Sequence, residues 1–295
     1  MELKNAVLRC VLVLLFFIVT AGTAAFLIGN LWYLLLFSSI GTVAGITELF
    51  IALKPRYSQR IRKAVLISLG LSLAALALMV GISFQFSQVC FDLYSGVVTG
   101  AVIQLLIARI FFPFIMGSSF CSRACWDSLV FEFADKNRNG TPSSSKLSAW
   151  TFTAVLIIVT AVVSIFFIPV PGTGVTRIFF AAENLAIITV GLIFAKFAGR
   201  RAYCRKLCPF LAISGVAARF SLFKITPRSD KECIACGRCD RECPMGIEVQ
   251  KYVEAGKRIN HPDCIVCEKC VNVCPNSCLI LSVPFTGAHT NCSEN

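Results

Sequence analysis

Histidine and charge are the two scarcest features of this 295-residue sequence. The only histidines are His261 and His289, and both follow the last long apolar segment. No apolar segment can therefore supply the axial histidine that a b-type haem normally uses, which argues against a cytochrome b. Charged residues make up only 15% of the chain, too few for an ordinary soluble protein. A basic patch interleaved with aromatic residues is also missing, so we expect no nucleic-acid partner.

The apolar content is correspondingly high, with 56% hydrophobic residues and a mean hydropathy of +0.75. Such a chain belongs in a lipid bilayer, whose core takes roughly 20 helical residues to cross. We predict a mainly α-helical, polytopic membrane bundle of six spans. Their ranges are Ala6–Ile28, Trp32–Leu53, Ala64–Phe84, Leu93–Phe112, Trp150–Pro169 and Ile178–Phe197.

The positive charge is distributed unevenly along the membrane part. Lys and Arg cluster at residues 4–9, 54–63, 123–146 and 200–206, whereas the opposite loops hold only Arg177. The positive-inside rule then places both termini in the cytoplasm, in a multi-pass protein of the cell inner membrane. The first span ends in small residues, as a signal peptide does, but an even number of spans between two cytoplasmic ends favours its retention.

Cysteine is abundant, with 16 residues. From Cys233 the chain reads CIACGRCDRECP and from Cys264 it reads CIVCEKCVNVCP, so the spacing C-x2-C-x2-C-x3-C-P occurs twice. This spacing is typical of bacterial-type ferredoxins with two 4Fe-4S clusters, in which the fourth cysteine of each run binds the other cluster. The predicted ligand sets are Cys233, Cys236, Cys239 and Cys274 for cluster one, and Cys264, Cys267, Cys270 and Cys243 for cluster two.

Two other interpretations of the cysteines are weaker. Zinc ribbons also use C-x2-C pairs, but they need neither the third close cysteine nor the trailing proline. A disulfide scaffold would belong to a small secreted chain. We expect the apolar residues Ile234, Ile265, Val266, Val271 and Val273 to shield the clusters.

Other cysteine and histidine residues fall outside the ferredoxin pattern. We expect Cys278 to be a buried thiol, and His261 to be a turn residue rather than a ligand. Cys10, Cys90 and Cys292 are expected to be ordinary thiols.

The membrane part contains an internal repeat. Aligning Cys125 with Cys208 superimposes two helix pairs, each of which ends in a basic segment followed by C-x3-C. A pseudo-two-fold axis would bring the pairs Cys121 and Cys125, and Cys204 and Cys208, together. Each pair would present both thiolates on one helix face at i and i+4. A shared iron site and simple packing are the two alternatives, and the spacing does not distinguish mononuclear iron, 2Fe-2S and 4Fe-4S.

Several polar residues lie within the predicted spans. Glu183 is a candidate proton acceptor for quinol, or a carboxylate bonded to a neighbouring helix. Helical rise would place it about 30 Å from Cys204, which argues against direct coupling. We expect Glu48 to pair with Lys54 or Arg56. Gln104 and Arg109 are expected to pack or to snorkel to the interface.

Taken together, the spans, the two C-x3-C motifs and the C-terminal cysteine runs resemble the NapH/NosR-type membrane polyferredoxins over roughly residues 64–280. This resemblance implies electron relay between the quinone pool and a partner redox module. It carries over to both C-x3-C pairs, to Pro209 and to the eight ferredoxin cysteines. Trp126 replaces the proline of the first motif, which puts the local turn in question. No outer loop is long enough for a flavin-binding domain, which favours the shorter NapH-like members.

The predicted domains are two N-terminal helices (1–63), a duplicated hairpin domain (64–225), an α+β ferredoxin domain (226–283) and a tail (284–295). We expect a redox component of an oxidoreductase complex without a complete active site of its own. Its expected partners are membrane lipid, redox subunits and quinone. The alternatives are a redox-dependent biogenesis or regulatory factor for a metalloenzyme and a membrane anchor with inert clusters.

Overall fold

A computed structural model describes residues 2–28, 31–54, 57–80, 85–96, 98, 100–134, 147–167 and 174–284. The chain is mostly helical, with one small sheet near its C-terminal end. His289, Cys292 and nearly all of the predicted tail lie outside the described residues.

The first three helices agree well with the first three predicted spans. Their bounds are α1 Glu2–Ile28, α2 Trp32–Leu53 and α3 Ser58–Val80. Helices α1 and α2 form an antiparallel hairpin, in which Gly41 lies against Phe17 and Gly45 lies against Leu14. A Cβ at Gly41 would clash with Phe17 Cβ, so glycine permits this close approach of the two helices.

The fourth span was predicted wrongly as one helix over Leu93–Phe112. Helix α4 covers Phe86–Tyr94, and Gly96 then adopts a left-handed backbone with φ of 67°. The chain continues through α5 Gly100–Gln104, a π-helical segment Leu105–Phe111, and α6 Phe112–Met116. Glycine accepts a positive φ without strain, so the chain can leave the helix at this point.

The remaining helices of this part follow in two groups. A 3-10 turn at Gly117–Ser119 leads into short helices that surround the first C-x3-C pair. The further elements are α7 Phe120–Arg123, α8 Trp126–Ala134, α9 Leu147–Phe167, α10 Gly174–Ala198, α11 Ala202–Lys206 and α12 Pro209–Ala218. Helices α9 and α10 contain the described parts of the fifth and sixth predicted spans.

Two helical stretches of the described residues, Asn5–Phe26 and Ala101–Arg123, are long and apolar enough to cross a bilayer. Shorter apolar stretches occur at Phe37–Ile51, Ser148–Val163 and Pro209–Ala218. By length and composition alone this favours membrane association only weakly, because buried core helices and signal sequences have the same character.

The ferredoxin-like part is built on a two-stranded antiparallel sheet. Strand β1, Lys224–Pro227, pairs with β2, Leu279–Ser282, so that Lys224 lies opposite Ser282. The strand begins two residues before the predicted domain boundary at 226. Three short helices lie between the strands: α13 Arg238–Glu242, α14 Val249–Glu254 and α15 Lys269–Val273.

One hydrophobic core joins this part to the helices. Val13 of α1, Met116 and Leu211 are buried in the same cluster as Met245 and Ile265. The C-terminal part is therefore packed onto the helical part rather than attached as a separate tail.

Candidate iron–sulfur sites

The two cysteine runs fold into matching loops, 31 residues apart. Ala235 and Gly237 have φ of 52° and 64°, and the equivalent Val266 and Glu268 have φ of 48° and 59°. Each loop then enters a short helix, α13 or α15. A left-handed backbone strains residues other than glycine, and strain of this kind clusters at functional sites. Both loops thus curl in the same way around their three sulfurs.

The fourth cysteine of each run also has an equivalent environment. Cys243 Sγ accepts a hydrogen bond from Ile247 N at 3.4 Å, and Cys274 Sγ accepts one from Cys278 N at 3.3 Å. Backbone N–H groups directed at sulfur stabilise a thiolate and tune a metal bound to it.

The eight cysteines line two separate cavities, four to each. Of these eight, Cys233, Cys236, Cys239 and Cys274 line one cavity, which Cys278 also lines. The other four, Cys243, Cys264, Cys267 and Cys270, line the other cavity. These are the crossed sets that the sequence predicts. Across the described ranges, no three His, Cys, Asp or Glu side chains converge closely enough to hold one metal ion, so the ligand assignment stays a prediction.

The donor chemistry of the second cavity suits an iron–sulfur cluster. Burial raises the pKa of Cys264 to about 12, with added repulsion from Cys267 and Cys243. Burial and the nearby Cys267 also raise the pKa of Cys243 to about 11. Thiols crowded together in an apolar cavity ionise when a metal supplies the compensating positive charge.

The two cavities differ in their exposure. Ile265 is 2% exposed, as expected for a shielding residue, but its equivalent Ile234 is 59% exposed. Ile234 nevertheless lines the first cavity beside Cys233 and Cys236, so it forms part of that cavity's wall while most of its side chain is exposed. Cys278 is 2% exposed and its Sγ donates to Glu232 O at 2.9 Å, which confirms the predicted buried thiol.

The two C-x3-C segments form equivalent turns. Cys125 N bonds to Phe120 O at 3.2 Å, and Cys208 N bonds to Tyr203 O at 3.0 Å. In each segment the first helix ends between the two cysteines, and the next begins directly after the second one. The expectation of two thiolates on one continuous helix is therefore wrong. Trp126 begins α8 as Pro209 begins α12, so the missing proline does not alter the turn.

The two cysteine pairs lie near each other in the structure. Burial raises the pKa of Cys204, and Cys208, Cys125 and Cys121 add repulsion to it. Arg109 is near three of them, Cys121, Cys125 and Cys208, and its Nη1 donates to Cys121 Sγ at 2.8 Å. Arg109 is only 3% exposed, so of its two expected roles packing is confirmed and snorkelling is not. The positions of the two pairs are compatible with one site that all four cysteines share, while a metal there stays a prediction.

A chain of polar contacts leads from the sixth predicted span to the first cysteine pair. Ser87 donates to Glu183, and Gln85 Nε2 donates to Asn184 Oδ1 at 2.8 Å. The same Gln85 nitrogen donates to Asp127 Oδ1 at 3.3 Å, two residues after Cys125. The separation of Glu183 from Cys204, calculated along α10, does not include this route, which runs through Gln85 and Ser87 at the start of α4.

Two groups of buried ion pairs fasten the second ferredoxin loop to the helices. Glu268 pairs with Arg123 at 2.9 Å, and Arg123 pairs with Glu48 at 3.0 Å. Glu48 also pairs with Arg9 at 3.5 Å. The predicted pairing of Glu48 with Lys54 or Arg56 is not found. Arg56 lies outside the described residues.

The second group surrounds Glu132 of α8. Its carboxylate pairs with Arg62 and Arg201, both at 2.6 Å, and with Lys269 at 3.0 Å. Burial raises the pKa of Glu132, but Arg201, Arg62 and Lys269 together hold it well below its usual range. Glu268 and Lys269 stand between Cys267 and Cys270, so both charges of the CEKC loop serve docking. The first loop has Gly237 and Arg238 in these places.

The sequence did not predict the contact of Arg109 with the cysteines, the contact of Asp127 with Gln85, or the docking role of Glu268. Two signals were available for them. Pro113 lies four residues after Arg109 in an apolar span. Between the first and third cysteines of each run, an acidic residue occurs only in the second run, at Glu268.

Comparison with known proteins places the C-terminal part in a family. Residues 226–275 match the family described as a 4Fe-4S dicluster domain. The candidate electron transport protein YccM of Escherichia coli (strain K12) is 44% identical over 71 residues, 24% of this chain and 19% of YccM. No solved structure matches the chain.

Two further relatives match over longer stretches. The methylamine utilization ferredoxin-type protein MauN of Paracoccus denitrificans is 29% identical over 153 residues, 49% of this chain and 54% of MauN. The uncharacterized protein MJ0749 of Methanocaldococcus jannaschii is 27% identical over 166 residues, 52% of this chain and 62% of that protein. The chain therefore spans less than two thirds of each relative. It carries a C-terminal 4Fe-4S ferredoxin-type domain, and its relatives indicate iron–sulfur electron transfer.

Proposed function

We propose that the chain is a multi-pass membrane subunit that relays electrons between the quinone pool, or a membrane partner, and an oxidoreductase. In this proposal it holds two 4Fe-4S clusters in the predicted ligand sets and a further iron centre at Cys121, Cys125, Cys204 and Cys208. When bound, iron–sulfur clusters supply one-electron transfer. The NapH-like members of the polyferredoxins are the nearest description of this arrangement.

The observation that carries the proposal is the contact between the second ferredoxin cavity and the C-x3-C segments. Cys121 is buried in the same core as Val266 and Cys267. A Cβ at Gly117 would lie 3.0 Å from Val266 Cγ2, so the two segments touch. Gln59 of α3 also donates to Cys267 O at 3.0 Å. Close, rigid packing of two redox sites is what a relay needs.

Membrane insertion is supported by the outer faces of the long helices. Large apolar side chains are exposed on α1, α2, α9 and α10. Contact of so much apolar surface with water is unfavourable, whereas contact with lipid is not. Examples are Phe26, Leu35, Ile158, Ile165, Leu185 and Phe197. We propose six spans, with the fourth shifted to the stretch Ala101–Arg123.

The proposed orientation has both termini and the ferredoxin domain in the cytoplasm. Cations from separate basic segments, Arg9, Arg62, Arg123 and Arg201, all meet carboxylates at the ferredoxin side of the helices. Four basic segments on one side agree with the positive-inside rule.

Iron and sulfide content with EPR spectroscopy tests the cofactors. The full chain should contain more iron than two 4Fe-4S clusters, and a Cys121→Ser/Cys125→Ser double variant should lose the excess. Cys10→Ser, which removes a thiol of α1 that belongs to none of the proposed ligand sets, is the matched control and should keep it. Equal iron in the parent and the double variant would contradict the further centre.

Turnover in liposomes tests the relay. Quinol added to the reconstituted protein should reduce the ferredoxin clusters, and Cys204→Ser should abolish this reduction without removing those clusters. Reduction that survives loss of both cysteine pairs would exclude the proposed route. No reduction at catalytic rates in the parent protein would favour the biogenesis or regulatory alternative.

A further inference from the structure

Arg109 is a buried cation next to the C-x3-C cysteines. It lies over the rings of Phe120 and Phe210, with its guanidinium carbon 4.6 and 4.9 Å from their centroids. Within the described part of the chain, Arg109 forms no ion pair with a carboxylate, and its buried Nε has no hydrogen-bond partner. Its Nη1 donates to Cys121 Sγ at 2.8 Å, and the side chain also hydrogen-bonds to Cys125. The cation is therefore directed at sulfur.

The local backbone explains how Arg109 reaches this position. The N–H of Phe112 bonds to Ile107 O, five residues back, as in a π-helix. Pro113 has no N–H to offer the carbonyl of Arg109, which accounts for the irregular turn. Short π-helical turns inside helices are rare and occur frequently at functional sites.

Cysteines of both repeats lie within the electrostatic reach of this cation. Burial raises the pKa of Cys125 and of Cys208, and Arg109 is the strongest influence that lowers each of them. A guanidinium buried without compensating charge is costly. Thiolates of Cys121, Cys125 and Cys208 are compensating anions close to Arg109, and the Asp127 carboxylate also lies within its electrostatic reach.

We propose that Arg109 is a positioning residue of the four-cysteine site, where it orients the Cys121 thiolate and favours the reduced state of the bound iron centre. The inference rests on the proposed function, since it requires iron at Cys121, Cys125, Cys204 and Cys208. Four thiolates outweigh the positive charge of one ferric ion, or of an oxidised 2Fe-2S or 4Fe-4S core, so the loaded site is anionic in each case. Reduction adds one electron from a donor such as quinol or dithionite, makes and breaks no bond, and transfers no proton at Arg109. A buried cation lowers the energy of that additional negative charge.

A potentiometric EPR titration of the purified full chain tests this inference. The signal to follow is the one that the Cys121→Ser/Cys125→Ser variant lacks. Arg109→Lys keeps the charge, whereas Arg109→Gln removes it and keeps a donor of similar length. We expect Arg109→Gln to shift the midpoint potential of this signal downwards and Arg109→Lys to stay nearer to the parent. The ferredoxin signals should not move in either variant, which makes them an internal control.

The outcomes distinguish a failure of the proposed role of Arg109 from a failure of the proposed function. Loss of this centre in Arg109→Gln together with its retention in Arg109→Lys also supports a charge requirement. An unchanged midpoint in Arg109→Gln, or loss of the centre in both variants, overturns the inference while leaving the relay intact. If the parent chain has no iron beyond the ferredoxin clusters, the four-cysteine site and the role of Arg109 both fail.

Discussion

Ile234 and Ile265 occupy equivalent places in the two cysteine loops, yet Ile234 is 59% exposed and Ile265 is 2% exposed. The loop of Ile265 is covered by the helical part, whereas the loop of Ile234 faces outwards. The first cavity is therefore the more accessible to another protein, and the second is the one enclosed between the ferredoxin domain and the C-x3-C segments.

This difference predicts unequal effects of the same substitution. Ile265→Ala removes buried methyl groups and should destabilise the protein by about 2–5 kcal/mol. Ile234→Ala, at the equivalent exposed position, should change stability by no more than about 0.5 kcal/mol. Thermal unfolding of the detergent-solubilised full chain, loaded with iron, measures both. Equal effects at the two positions would contradict the asymmetric packing.

The ion pair between Arg123 and Glu268 gives a second prediction. Glu268→Gln leaves Arg123 with one carboxylate, Glu48, in a buried environment, and breaking a buried pair typically costs about 3–5 kcal/mol. We expect faster amide hydrogen exchange in the loop Cys264–Cys270 and a lower unfolding temperature. Lys251→Gln is the control, because its pair with Glu248 is largely exposed, at 73% and 54% of the two side chains. Unchanged exchange in Glu268→Gln would show that the pair does not hold the loop.

Cys274 and Cys278 provide a matched pair for the ligand assignment. Both cysteines line the first cavity, but Cys274 belongs to the predicted ligand set, whereas the Cys278 thiol donates to the backbone oxygen of Glu232. We expect Cys274→Ser to lose or convert the first cluster and Cys278→Ser to retain its full iron and sulfide content. Iron analysis and EPR of the two variants check this, and loss of iron in Cys278→Ser would require a different ligand set.

Much of the cysteine chemistry could be predicted because it depends on spacing along the chain. A tight loop must carry three sulfurs at x2 intervals, and both loops of this chain do so at Cys233 and at Cys264. The long apolar helices were also predictable, because length and hydropathy are local properties. Helix α2 has the predicted bounds, Trp32–Leu53.

The contacts of the charged residues could not be predicted, because they join segments that are distant in sequence. Glu48 of α2 pairs with Arg123 of α7, which lies far from it in sequence. The burial of Arg109 depends on the approach of Phe210 from the second repeat. The fourth span was misjudged because hydropathy alone does not register the left-handed turn at Gly96.

Glu132 predicts how stability depends on pH. Its pKa is held far below the usual glutamate value of about 4.3 by Arg201, Arg62 and Lys269, against the opposing effect of burial. A carboxyl whose pKa is lower in the folded state stabilises the fold above the unfolded pKa and loses that contribution as the pH falls towards the folded pKa. The contribution should therefore be complete above about pH 5 and should decline below that value. Glu132→Gln should be less stable than the parent at pH 7, and this deficit should shrink between pH 5 and pH 3. Amide hydrogen exchange of α8 and α11 at several pH values measures the difference, with Glu254→Gln, an exposed acidic position of α14, as the control. A deficit that stays constant over this range would mean that packing, rather than charge, accounts for the role of Glu132.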